Sequence, residues 1–307
     1  MSKYAVIDIG TNSIRMLLAE VKDGEIKNST KVLEMTRIGK GVNKTKRLSD
    51  DAMDRSIDAL RKFKDLAIDY GASEIKAIAT SAVRDALNKD EFITRVKEEL
   101  GMEIDVISGE KEAELGFAGV IYGNMSKSQD ILVIDIGGGS TEFIIGVGNE
   151  IKYRTSIDVG AVRMTDKHIS TDPISDDEFN NLAQNIEKIL RDVIVKIKEY
   201  NIEEVFGIGG TVTTLAAIDQ NLDMYDRNKV HNYKLKTYEI EDMIDRFKSL
   251  NNDARKKIRG LQPKRADIIL AGSIILYEIL KALGVEQIII SDYDNLEGYI
   301  FSEKKDM

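Results

Sequence analysis

The 307-residue chain contains no cysteine and no tryptophan, and only 2 prolines and 2 histidines. Without thiols there is no disulfide scaffold, no thiolate metal site and no cysteine nucleophile, a composition that fits a reducing compartment. Two histidines leave almost no room for a zinc centre or a Ser/His/Asp hydrolase. Cations are also in deficit. The 44 Lys and Arg stand against 53 Asp and Glu, a net charge of -9. This argues against a dedicated duplex nucleic-acid binder, whose affinity comes from neutralising phosphates, so any anion site must be local. Long apolar runs are missing as well: Tyr4 to Ile7 is stopped by Asp8, and Ile268 to Tyr277 is interrupted by Gly272 and Ser273. A signal-peptide core or membrane span is therefore not expected, and the sequence reads as cytoplasmic.

What the sequence does contain is a repeat. Tyr4-Ala5-Val6-Ile7-Asp8-Ile9-Gly10-Thr11-Asn12-Ser13 returns as Ile131-Leu132-Val133-Ile134-Asp135-Ile136-Gly137-Gly138-Gly139-Ser140, a period of 127 residues. A second apolar segment follows each copy (Ile14 to Val21, Phe143 to Val147), then a turn signal (Asp23-Gly24, Gly148-Asn149) and a third strand (Ile26 to Met35, Ile151 to Ile157). Two related domains are implied, with the boundary in the polar stretch Gly123 to Gln129: residues 1–124 and 125–307, with residues from about 295 onward packing back on the first.

Between the sheet openings, strands and helices alternate. Ser49 is placed to cap a helix over 50–70 with a stripe of Met53, Ile57, Leu60, Phe63, Ala67 and Tyr70. Strands are expected at 75–79 and 103–107, and helices at 89–100 and 110–122. Ser175-Asp176-Asp177-Glu178 is a capping box opening a long helix. Beyond it, strands are expected at 205–208 and 287–290, and helices at 212–219, 238–250 and 265–283. The fold class is α/β.

Both strands of the repeat end in Asp, then Gly and small polar residues, which places a carboxylate and free backbone N–H groups at the tip of a turn that can cradle phosphate. Asp8 and Asp135, one from each domain and expected to face each other across a cleft, are candidate ligands of a hydrated Mg²⁺. Gly137, Gly138 and Gly139 leave backbone open to close approach. Gly207-Ile208-Gly209-Gly210-Thr211, at a strand end opening a helix, is a second anion cradle. Glu142 begins the return strand as a candidate metal or water ligand. Glu112, in the first turn of a helix, suits the helix dipole, yet a hydrolase with so few histidines needs a carboxylate as general base. Arg84, just past a strand, is placed to clamp phosphate. Lys40, Lys44, Lys46 and Arg47 fall in one loop, and Lys256, Lys257 and Arg259 in another cluster. His168 and His231 read as satisfied structural residues.

The paired VIDIG turns, GGGSTE at 137–142, GIGGT at 207–211, ATSAVRDA at 79–86, SGEKEA at 108–113 and RAD at 265–267 resemble the exopolyphosphatase and guanosine pentaphosphate phosphohydrolase family of the actin-like ATPase superfamily. The resemblance spans nearly the whole chain. It implies two duplicated actin-like (ribonuclease H-like) domains flanking a cleft, in the short two-domain form. Glu112 takes the place of that family's general base, with Asp135 and Glu142 holding water and Mg²⁺ and Asp8 opposite; K⁺ is a candidate second cation. Asn12, Ser13, Arg84, Gly138, Gly139, Ser140 and Thr141 would surround the terminal phosphates, to which the glycine turns read above add Gly137, Gly209, Gly210 and Thr211, and a homodimer is implied. Two departures stand out: Lys111 where many members carry Glu, and Asp294-Asn295-Leu296 where Gly-Leu-Arg is usual.

The expected function is an exopolyphosphatase removing terminal phosphate from inorganic polyphosphate. Alternatives are the same chemistry on guanosine pentaphosphate, an actin-like ATPase or sugar kinase, and a non-catalytic sensor of alarmone or polyphosphate. ATSAVRDA and Glu112 weigh against the kinase, and retention of Asp8, Glu112, Asp135 and Glu142 against the sensor.

Overall fold

Alternation along the first strands determines what each of their faces packs against. β1 (Ser2–Ile9), β2 (Ile14–Lys22) and β3 (Glu25–Glu34) form an antiparallel meander in a computed structural model that describes residues 2–124 and 129–302. The β2–β3 turn places Asp23 and Gly24 at φ 53° and 84°, the left-handed pair a two-residue hairpin needs. After α1 (Val42–Thr45) and α2 (Asp50–Tyr70), β4 (Glu74–Ala79) joins β1 in parallel. Then α3 (Ser81–Arg84) and α4 (Lys89–Leu100) lead to β5 (Ile104–Val106) and α5 (Gly109–Asn124), giving the sheet order β3-β2-β1-β4-β5. Ala5, Ile7 and Ile9 face a core built with Met53, Ile57, Leu60, Phe63, Phe92 and Val96.

The second sheet repeats that order. β6 (Ile131–Ile136), β7 (Thr141–Val147) and β8 (Glu150–Ile157) form its meander. They are followed by α6 (Ala161–His168), α7 (Asp176–Ile197), β9 (Glu204–Ile208), α8 (Gly210–Asp219), α9 (Arg227–Val230), β10 (Lys234–Lys236), α10 (Thr237–Ser249), α11 (Asn252–Arg255), α12 (Ile269–Leu283) and β11 (Gln287–Ile290). The strand order β8-β7-β6-β9-β11 matches the first sheet, and β10 is added as an antiparallel edge. The duplicated α/β arrangement is therefore present in the backbone. The chain divides into one unit of Met1–Gly119 with Asn295–Met307 and another of Val120–Asp294. Residues 125–128 of the polar stretch expected to hold the boundary lie outside the described residues.

The last helix, α13 (Asn295–Ser302), belongs to the first unit. Its Leu296 and Ile300 cover Val6, Leu17, Ala19 and Val21 on the other face of β1 and β2. A Cβ on Gly298 would stand 1.8 Å from the Leu115 carbonyl oxygen, so α13 crosses α5 backbone to backbone. The fully buried Glu297 carboxylate pairs with Lys31 of β3 at 3.0 Å. Leu296, where an Arg is usual, is thus a core position. Among the described residues no helix is long and apolar enough to cross a membrane.

Three local expectations need correction. Ser49 occupies the N-cap of α2, but its side chain makes no capping bond; Asp50 and Asp51 in the first turn suit the helix dipole instead. The helix expected over 265–283 is split into a 3-10 turn at Pro263–Arg265, started by its proline, and α12. The strand expected over 103–107 is limited to Ile104–Val106.

The capping box of α7 is formed. Ser175 Oγ accepts from the Glu178 N–H at 3.3 Å, and Glu178 Oε2 accepts from the Ser175 N–H at 3.4 Å. Ser175→Ala is expected to cost about 1 kcal/mol in urea unfolding. Hydrogen bonds from the Ser170 and Thr171 hydroxyls, with backbone N–H groups adding to them, hold the Glu178 carboxyl at about 2, below its ordinary 4.5. A depressed folded value means that this contribution is complete above pH 4.5 and is lost as pH falls through about 2. Unfolding midpoints of the parent and Glu178→Gln should accordingly converge across that window.

Candidate phosphate-binding and catalytic site

In the first unit the site residues gather at the end of β1. Gly10 N–H donates to the Ser13 carbonyl at 3.0 Å, closing the turn that carries Thr11 and Asn12. Thr11 and Ser81, at the start of α3, share a hydroxyl hydrogen bond of 2.8 Å. The turn is thereby tied to the segment that carries Arg84. Arg84 Nη1 donates to the Ile107 carbonyl at 3.3 Å and to Glu112 Oε2 at 3.2 Å. Glu112 is buried in the first turn of α5. Lys111 beside it is exposed and reaches Glu114 at 3.4 Å, away from that carboxylate.

In the second unit the corresponding turn is closed the same way, by Gly137 N–H to the Ser140 carbonyl at 3.0 Å. The start of α6, an element absent from the sequence expectation, locks it. The N–H groups of Ala161 and Val162 donate to the carbonyls of Gly137 and Gly138 at 3.0 and 2.8 Å. Arg163 Nε donates to the Gly139 carbonyl at 2.6 Å. A Cβ on Gly160 would lie 2.5 Å from Gly138 and Gly139 backbone, so only glycine permits this approach. With those carbonyls turned to α6, the turn is fixed as a rigid cradle. The Thr141 hydroxyl donates to the Val159 carbonyl at 2.5 Å, a structural bond.

The second glycine cradle meets the first. Gly209, at φ 89°, would place a Cβ 2.4 Å from Asp135 Oδ1, and Gly210 would place one 2.1 Å from Arg265 Nη1. The buried Arg265 guanidinium therefore lies against the opening of α8, steadied by Gln262 Oε1 at 3.1 Å. Thr211 packs on Gly272 of α12. Asp135, Gly137 to Glu142 and Gly209 to Thr211 thus converge at the C-terminal ends of parallel strands β6 and β9, where open α/β sheets bind ligands. Arg265 and Arg163 are not among the site residues expected from the sequence; the one sequence signal for Arg265 is its place in the RAD motif.

The repeat also shows an asymmetry. Asp135 is the direct cross-strand partner of Glu142, and Ser156 Oγ donates to Glu142 Oε1 at 2.7 Å. At the matching positions of the first unit, Asp8 pairs across the strands with Arg15, and the two form an ion pair. One unit therefore carries an acid beside a base, and the other two buried carboxylates side by side. Like charges directly opposite repel, so the second row suits a cation. Its hard oxygen donors fit Mg²⁺, which takes one or two carboxylates and keeps water and phosphate as its other ligands. Among the described residues no group of three or more His, Cys, Asp or Glu is gathered as a metal cluster.

A family model described as the Ppx/GppA phosphatase family matches residues 17–307. The chain belongs to that family. Three curated proteins are similar to this Ppx/GppA chain. A bifunctional 3-dehydroquinate synthase/phosphatase of Fusobacterium nucleatum is 39% identical over 96% of this chain, which spans 46% of that protein. Exopolyphosphatase 2 of Mycobacterium tuberculosis is 31% identical over 98% of both chains. A guanosine-5'-triphosphate,3'-diphosphate pyrophosphatase of Vibrio cholerae is 32% identical over 99% of this chain and 60% of its own length. Among solved structures, an exopolyphosphatase from Cytophaga hutchinsonii superposes with a TM-score of 0.90 at 28% identity, covering 100% of this chain and 99% of that one.

Proposed function

We propose that this Ppx/GppA chain is an exopolyphosphatase, hydrolysing the terminal phosphoanhydride bond of inorganic polyphosphate with Glu112 as general base. The observation that carries the reading is the Arg84–Glu112 pair: a buried carboxylate at a helix start, held by a guanidinium that can exchange it for a phosphate oxygen. Glu112 takes a proton from water as the water oxygen bonds to the terminal phosphorus. The bridging P–O bond breaks, and the shortened chain leaves with the bonding pair on its oxygen. Asn12, Ser13 and Arg84 in the first unit are placed to bind phosphate oxygens, and in the second unit the N–H groups of the Gly138 to Ser140 and Gly209 to Thr211 cradles are placed to do the same; positioning and charge neutralisation are most of what phosphoryl transfer requires. Asp135 and Glu142 would hold Mg²⁺, which when bound neutralises phosphate charge. Asp8, already paired with Arg15, is left out of that set.

Guanosine pentaphosphate, the substrate class named by the Vibrio cholerae relative, is the second reading. Phosphate release with Mg²⁺ should be followed on long-chain polyphosphate, tripolyphosphate, guanosine pentaphosphate and ATP. The expected order puts polyphosphate highest in kcat/KM, and Mg²⁺ removal by chelation abolishes turnover. A preference for guanosine pentaphosphate transfers the assignment to the second reading. Turnover of ATP alone indicates an ATPase or kinase, and binding without any turnover a sensor.

A further inference from the structure

The segment 37–47, Arg37-Ile38-Gly39-Lys40-Gly41-Val42-Asn43-Lys44-Thr45-Lys46-Arg47, carries five cations and no acid in a chain of net charge -9. It is a built element. Arg37 N–H donates to the Asn12 carbonyl at 3.0 Å, Gly39 N–H to the Thr11 carbonyl at 2.9 Å, and Leu87 N–H to the Lys46 carbonyl at 2.8 Å. Ile38, Val42 and Leu48 anchor it in the core. Asn88 closes its far end through two bonds to the Leu48 backbone, of 2.8 and 3.0 Å. A Cβ on Gly39 would meet Thr11 Cγ2 at 2.3 Å and Ala82 at 3.0 Å, so the segment lies directly on the first phosphate turn and on α3, which ends in Arg84.

Two of its cations are held at some cost, and its three lysines are left without ion-pair partners among the described residues. Arg37 and Lys46 stand at φ 54° and 56°, left-handed positions where glycine or asparagine is cheaper. Lys40, Lys44, Lys46 and Arg47 are exposed. Among the described residues the three lysines enter no ion pair, while Arg47 reaches Glu91 at 3.8 Å. The basic cluster of the other unit differs: there Lys256 pairs with Asp253 and Arg259 with Asp223.

We propose that Lys40, Lys44 and Lys46 bind the phosphates of a polyphosphate chain beyond those held by the Thr11–Ser13 turn and Arg84, and so set a preference for long chains. The proposal rests on the polyphosphate reading above and extends it. Residues 36–47 contain no aromatic side chain on which a base could stack, which favours a bare phosphate chain over a single-stranded nucleic acid. Lysine ammoniums are point charges, suited to a ligand whose anionic oxygens recur without bases to be read.

The test compares the parent, the triple variant Lys40→Ala, Lys44→Ala, Lys46→Ala, and a control with Lys256→Ala, Lys257→Ala, Arg259→Ala. Equilibrium binding of long-chain polyphosphate needs no turnover and is measured first. The loop variant should bind at least about tenfold more weakly at moderate salt, with the slope of log affinity against log salt reduced by about two; the control should match the parent. In phosphate release, KM for long-chain polyphosphate should rise by a similar factor with kcat within twofold, and KM for tripolyphosphate should stay within twofold. If turnover persists while long-chain affinity, KM and salt slope are unchanged, the loop assignment is overturned. An equal loss on tripolyphosphate overturns the distal position, and single-stranded RNA bound as tightly and lost in parallel overturns the choice of ligand. Affinity lost in the loop variant when the parent releases no phosphate supports the loop and overturns only the catalytic reading.

Discussion

Glu112→Gln should lower phosphate release from polyphosphate by about a thousandfold, within the range that loss of a general base produces. The amide keeps the shape of the side chain and an oxygen to accept the 3.2 Å bond from Arg84, but it does not take a proton from water. KM should therefore move far less than kcat, because the phosphate contacts remain. Arg84→Ala is expected to do both, raising KM through the lost phosphate contact and lowering kcat by releasing Glu112 from its position. Steady-state kinetics beside a urea unfolding curve separate the two. A folded Glu112→Gln protein within tenfold of the parent kcat would sink the assignment of the base.

Gly298→Ala should destabilise the protein more than any surface substitution. The added methyl would meet Leu115 O at 1.8 Å, Leu115 C at 2.7 Å and Gly119 N at 3.0 Å, all backbone of α5. No side chain can swing away to make room. α13 must lift, which withdraws Leu296 and Ile300 from Val6 and Leu17 and pulls the buried Glu297 from Lys31. A loss of about 3 kcal/mol or more is expected, at the upper end for overpacked sites. Gly284→Ala is the natural comparison: its φ of 70° is strained for alanine, yet nothing lies within 4 Å, so about 1 kcal/mol is expected. Urea unfolding midpoints of the two variants measure the difference. Equal midpoints would show that α5 and α13 do not cross closely in solution.

Much of this architecture is legible in the repeat. Asp8 and Asp135 end matching strands, and the closing bonds of their turns, Gly10 to Ser13 and Gly137 to Ser140, are the same length. Long helices such as α2 were readable because their apolar stripes run for several turns. α6 and α13 span 8 residues each, too few for a periodic signal, and tertiary contacts with Gly138 and with α5 fix them. The Arg15–Glu142 asymmetry lay in the aligned copies, yet its meaning depends on cross-strand register, which pairs one with Asp8 and the other with Asp135. Arg265 was obscured by a different cause. An apolar run reads as one helix from 265 to 283, whereas Pro263 starts a separate turn that sets the guanidinium against Gly210. Gly160 carries no pattern at all, since its requirement comes from a backbone contact 21 or 22 residues away in the chain.

During synthesis, the unit that begins first is completed last. β1 and β2 leave the ribosome early with Val6, Leu17, Ala19 and Val21 uncovered, and the residues that cover them, Leu296 and Ile300, follow only after the whole second unit. At about 5–20 residues per second, the roughly 175 residues of that unit hold the nascent first sheet open for about 10–35 seconds. The second unit, by contrast, is continuous in sequence. An interval of that length is one in which a chaperone can occupy the exposed face of β1 and β2, and in which a truncated message yields a chain with that face permanently bare.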